Sequence, residues 1–116
     1  MQFINYQSLI FAGLADQKTV LLSVEKPTFL NAVNICNTSS DNIRINLQIV
    51  RLLISPKQEN FLVRNVLIQP NESNNLISLG NLEVFLKDGD NILCFSDGYS
   101  QQFDCTICYT ELNEKI

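Results

Sequence analysis

Apolar and polar residues alternate strictly over several stretches of this chain, and the alternation has the period of a strand. In NIRINLQI, Ile43, Ile45, Leu47 and Ile49 alternate with Asn42, Arg44, Asn46 and Gln48. One apolar face and one wet face result, as in an antiparallel sheet packed on one side. QFDCTICYTE repeats the pattern, with Phe103, Cys105, Ile107 and Tyr109 on one face and Asp104, Thr106, Cys108 and Thr110 on the other. Val20, Leu22 and Val24 alternate with Thr19, Leu21 and Ser23 in a shorter piece. After Ile49 the alternation slips by one, because Val50, Leu52 and Ile54 become the apolar set. The slip predicts a bulge near Val50, or a strand bending from one sheet to the other. TFLNAVNIC (28–36) and NFLVRNVLI (60–68) are apolar on both parities, which suits central strands or strands covered by a neighbouring subunit.

Turn residues punctuate these runs at SSDN (39–42), PKQE (56–59), PNESN (70–74), GN (80–81), DGD (88–90) and DGYS (97–100). From 70 onward the spacing is about nine residues, that of short strands joined by turns. The intervals are rich in Ile, Val, Leu, Phe and Thr, which fit a pleated, half-buried surface. No window has a convincing helical period. The expected strands are 3–12, 18–25, 28–37, 42–54, 60–69, 75–79, 82–87 and 91–97, with 102–112 as a ninth or as the return of the last hairpin. The fold class is therefore all-β: a two-sheet antiparallel β-sandwich, jelly-roll or immunoglobulin-like, of about eight strands and without significant helix. Residues 1–116 make one domain, in which 1–15 form an N-terminal strand or arm and 113–116 a frayed tail.

Composition narrows the chemistry. The 116 residues are 46% apolar and 17% charged, a globular balance. There is no histidine and no tryptophan, so the commonest general base and the commonest zinc ligand are both missing. Eight Lys and Arg against twelve Asp and Glu leave a net charge of −4, which disfavours nucleic acid as a partner. Arg44, Arg51 and Arg64 form a basic patch only if folding gathers them. No apolar run approaches the roughly 20 residues that span a bilayer, so no membrane partner is expected. The opening MQFINYQSLIFAGLADQ lacks a basic start and carries Asn5, Tyr6, Gln7 and Ser8 within its apolar part. It reads as a first strand rather than a secretion signal, and the expected site of synthesis is the cytoplasm. There, four cysteines are expected as thiols.

Each chemical motif has a competing structural explanation. Cys105 and Cys108 have the spacing of a redox or zinc knuckle, but in a strand an odd offset sends them to opposite faces. A pair of Cys94 with Cys105 across the DGYSQQ turn requires an oxidising setting. Asp88, Gly89 and Asp90 supply too few oxygens for calcium and suit a tight turn. The sequons at Asn37 and Asn71 read as turn residues whose side chains satisfy nearby backbone. No phosphate loop, nucleophile elbow or dinucleotide fingerprint occurs; no catalytic residue, metal or cofactor is expected. Fourteen Asn and eight Gln, many on wet strand faces, suit surfaces that are covered by protein or sugar without burying charge.

The stretches Val24 to Thr28, Ile35 to Ser39 (ICNTS), Ile68 to Ser73 (IQPNES) and Leu86 to Ile92 (LKDGDNI) resemble the turn cadence of small β-sandwich proteins of tailed-phage virions, including prophage and gene-transfer-agent relatives. The likeness covers about residues 18–112, and it departs at Val24 to Thr28, where the usual glycine is absent and the proline displaced. It implies a virion structural protein of head-decoration, neck, tail or fibre-attachment type that forms a symmetric homo-oligomer and contacts a larger capsid or tail protein. The candidate contact arm comprises Phe3, Ile4, Tyr6, Leu9, Ile10 and Phe11. The rival reading is a carbohydrate-binding module, with Tyr99, Gln101 and Gln102 as its ligand loop.

Overall fold

The computed structural model describes the backbone of residues 2–12, 18–51, 57–97 and 103–113, and the side chains of 18–51, 57–96 and 103–112. Among the described residues are nine strands and one helical turn: β1 (Gln2–Ala12), β2 (Thr19–Ser23), β3 (Thr28–Asn37), β4 (Ile43–Arg51), β5 (Gln58–Ile68), β6 (Ser73–Asn75), α1 (Leu76–Leu79), β7 (Val84–Leu86), β8 (Asp90–Asp97) and β9 (Phe103–Asn113). The first sheet runs β1-β9-β3-β6, with β7 also paired to β3, and the second runs β2-β8-β4-β5. Every pairing is antiparallel. The expected fold class is the observed one.

The alternating segments in β4 and β9 place the core, whereas in β2 the expected parity fails, with Leu21 in the core and Val20 exposed. Ile43, Ile45, Leu47, Ile49, Ile92 and Cys94 point inward from the second sheet, and Leu30, Val33, Ile35, Phe103, Cys105 and Ile107 from the first. Each side chain of this size gains roughly 1.5–3 kcal/mol on burial. Tyr109 packs against the same cluster, so all four apolar residues of the β9 pattern share one face.

The irregularity foreseen at Val50 lies elsewhere. The β4–β8 register is constant from Arg44↔Asp97 to Arg51↔Asp90, so β4 has no bulge against β8 over these residues; Leu52 and Ile54 of the slipped set lie outside the described residues. The shifts are in β5. Between Ile45↔Val66 and Leu47↔Val63, two steps on β4 oppose three on β5; between Leu47↔Val63 and Gln48↔Phe61, one opposes two. Asn65 sits at φ 54, the left-handed region that asparagine tolerates better than branched residues. Its N–H, turned out of the ladder, donates to Oδ1 of Asn46 at 3.0 Å. Asn46, Gln48 and Val50, on the face opposite the core, are all buried, so at Val50 the apolar residue lies on a second covered face.

Two other expectations change. The stretch 60–68 is an edge strand and not a central one; Leu62, Val63, Val66 and Ile68 pack at the core across the bulges, while Phe61 and Leu67 stand outward. The strand expected at 75–79 is cut short at Asn75, and one helical turn follows. Asn75 caps this turn, with Oδ1 accepting from Ile77 N at 3.1 Å and also from Val33 N at 3.2 Å on β3. Asn81, at φ 51, ends it, with Leu82 N donating to Ile77 O and Asn81 N to Ser78 O, the hydrogen-bond pattern of a left-handed C-terminal stop. Leu76 and Ile77 are thereby buried in the core. Among the described residues no helix is long and apolar enough to cross a membrane.

Candidate functional site

The motifs singled out in the sequence lie apart. Cys105 is fully buried, whereas Cys108 is half-buried on the other face of β9, as the odd offset requires. Cys94 and Cys105 lie in opposite sheets, so they are not hairpin neighbours, and both are free thiols. Burial pushes the Cys105 thiol up to about 12; burial, and then the neighbouring Cys105, also raise Cys94. Such thiols stay protonated and serve as core packing. Cys36 pairs with Asp104 in the register and Cys108 with Ala32, so the two half-buried thiols stand four residues apart along β3, roughly 13 Å. Among the described residues no three metal-ligating side chains come together.

The two sequons meet different fates. Asn37 is completely buried. Its Nδ2 donates to Asp41 O at 2.7 Å and Ile68 O at 2.9 Å, and its Oδ1 accepts from Ser39 N at 2.9 Å and Ser39 Oγ at 2.7 Å. All four hydrogen-bonding positions of the amide are filled, and they tie the end of β3 in one sheet to β5 in the other. Asn71 is exposed at φ 63, and its N–H donates to Asn37 O at 3.0 Å. The aspartate turn is likewise structural. Gly89, at φ 86, occupies the third position of a turn closed by Asp90 N donating to Lys87 O, while Oδ2 of buried Asp90 accepts from Lys87 N at 2.9 Å.

What remains outside the core is a set of surfaces. On the second sheet, Phe61 and Phe95 lie with ring centres 6.3 Å apart, Lys18 Nζ is 5.4 Å from the Phe95 ring, and the Arg64 guanidinium is 4.9 Å from Phe61. Val20, Leu67 and Phe61 are each more than two-fifths exposed. Beneath the aromatic pair, Gln48 stands between Phe61 and Leu93 in the register. Its Oε1 is buried and has no partner among the described residues. On the first sheet, Phe29 and Phe85 face each other at 4.9 Å and are both exposed, beside Asn31, whose Nδ2 donates to Thr110 Oγ1 at 2.7 Å. Arg44 and Arg51 stand at opposite ends of β4, roughly 23 Å apart, and Arg64 is taken up over Phe61. The three arginines form no common patch.

The candidate arm residues Phe3, Ile4, Tyr6, Leu9, Ile10 and Phe11 belong to β1, which pairs with β9 of its own chain from Gln2↔Asn113 to Ala12↔Phe103. This segment is a strand of its own sheet rather than an arm leaving it. Tyr99, Gln101 and Gln102 lie outside the described residues. Sequence reading missed the two outward aromatic pairs, because a phenylalanine at an outward parity looks like any other apolar residue of a central strand. Phe29 and Phe61, both off the core parity of their strands, were the signal.

No protein-family profile matches this chain, and no curated protein matches it. In fold it is similar to a solved protein of Bacillus endospore appendages, which form a novel family of disulfide-linked pili, with a TM-score of 0.57. Sequence identity is 5%, and the alignment covers 97% of this chain and 89% of that one. The shared property is the fold: an all-β, two-layer sandwich.

Proposed function

We propose that this protein is a non-enzymatic structural subunit that works by packing against copies of itself in an ordered assembly. The observation that carries this reading is the distribution of its side chains. The thiols Cys94 and Cys105 and the carboxylate of Asp90 are consumed by packing and turn closure, while large apolar groups stand outward on both sheets at Val20, Phe29, Phe61, Leu67 and Phe85. Exposed apolar groups rimmed by amides suit protein contacts. The pilus-forming neighbour supports the idea that a sandwich of this shape can serve as a repeated subunit.

In its finer form the proposal is a component of a tailed-phage or phage-like particle, made in the host cytoplasm and contacting a larger capsid or tail protein. The turn cadence at Ile35 to Ser39, Ile68 to Ser73 and Leu86 to Ile92 supports that form. Purified protein examined by native mass spectrometry and electron microscopy tests the reading. A discrete oligomer or a regular array is the expected result. A strict monomer at all concentrations that binds no particle component would overturn it. Saturable glycan binding abolished by Tyr99→Ala would favour the carbohydrate-binding alternative instead.

A further inference from the structure

We infer that the free edge of β1 is the self-association site, and that it pairs antiparallel with β1 of a second copy across a two-fold axis. The inference rests on the subunit reading above and names the contact that reading needs. A sheet edge presents unpaired N–H and C=O groups, and folded proteins usually blunt it with short strands, bulges or charge. Among the described residues, three of the four sheet edges are blunted in these ways. β2 has five residues and a register shift between Val20 and Leu22. β6 and β7, which share the far edge of β3, have three residues each. β5 is long, but it carries two register shifts, a left-handed Asn65, the cation Arg64 and, at its start, Glu59 paired at 3.1 Å with Lys57 just before the strand.

β1 has none of these devices. It runs eleven residues, matched one to one with β9 without a register shift. Residues 1–15 contain no Lys, Arg, Asp, Glu or Pro. Among the described residues no strand lies on its other side. In an antiparallel ladder the bonds of alternate residues point to opposite sides, so about half the residues of β1 direct N–H and C=O away from β9.

The occupant follows from the same features. Two identical uncharged strands set antiparallel bring no like charges into opposition, equal lengths leave no overhang, and a two-fold contact closes the edge for both partners. The five-stranded sheet of each copy then continues across the axis. Pairing of β1 with β5 of another copy would set an uncharged, regular edge against one that carries Arg64, Glu59 and two register shifts.

Hydrogen exchange at residue resolution on the full chain, at two protein concentrations, tests this. Alternate residues of Gln2–Ala12 are expected to gain at least tenfold protection as the oligomer forms. The double variant Gln7→Lys with Leu9→Lys is expected to lose that gain and to run at half the native mass. If the protein assembles while these amides keep their dilute-solution exchange rates, the inference fails and the subunit reading survives. If it stays monomeric even in the presence of particle components, both fail. The exchange measurement on the unmodified chain decides the matter even if the lysine variant does not fold.

Discussion

The two sheets of this sandwich end differently, although each is bounded on one side by an eleven-residue strand. β5 is kinked by two bulges, carries charge, and has an asparagine in a left-handed conformation whose freed N–H is caught by Asn46. β1 is regular and uncharged over the same length. Strand length and hydrogen-bonding capacity are the same in both, so neither distinguishes an edge that is open from one that is closed. The backbone irregularities and the charges do.

The joint between the sheets offers the strongest test of the comparison. Cys94 and Cys105 sit one in each sheet, and burial holds both thiols protonated well above the usual range. In the unfolded chain they ionise at about 8.5, so the unfolded state loses protons first as pH rises, and stability must fall with pH above that point. The expected loss is on the order of 1 kcal/mol per pH unit across the alkaline range. Urea titrations at pH 8, 9, 10 and 11 measure it, and a flat profile would show that the two thiols are not buried together between the sheets.

Asn37→Ala comes next. Losing the amide strips the carbonyls of Asp41 and Ile68 of a donor and cuts the polar tie between the sheets at that end. A loss of about 2 kcal/mol is expected, chiefly from the buried Ile68 carbonyl left without that donor. A denaturation midpoint within error of the unmodified protein would mean that the sheets are held together by the apolar core alone.

The edges themselves are compared by placing one substitution in each. Asn65→Val forces a branched side chain into the left-handed region and is expected to cost about 2 kcal/mol. Gln7→Val, in an unbroken extended strand, is expected to change stability by less than about 0.5 kcal/mol. Equal effects in thermal unfolding would remove the difference between the two strands.

The smallest expected effect concerns the half-buried thiols. Cys36 and Cys108 should react with a thiol reagent in the native protein within minutes, while Cys94 and Cys105 react only on unfolding. Four prompt equivalents would indicate that the sandwich opens readily.

Much of the fold was legible because burial on one side of a sheet writes itself into the sequence with period two. The β4 and β9 patterns identified their inward faces, and the odd spacing of Cys105 and Cys108 was enough to separate them. Asn37 was legible as a turn residue but not as a tie to β5, since its partner Ile68 O is 31 residues away. The helical turn at Leu76–Leu79 is too short to develop a period. Its signals, Asn75 before it and Gly80-Asn81 after it, are those of any loop. The Val50 slip was visible and was assigned to the wrong strand, because a second covered face and a bulge disturb alternation in the same way.

The amino-acid sequence by itself determined an all-β sandwich, its main inward faces and a chain with no histidine for general-base or zinc chemistry, because these follow from residue type and local spacing. Tertiary structure alone decided which strands became edges, which asparagine was buried and which aromatics met on the outside. Those outcomes depend on pairings between residues distant in the chain, and local patterns carry no record of which strand lies next to which.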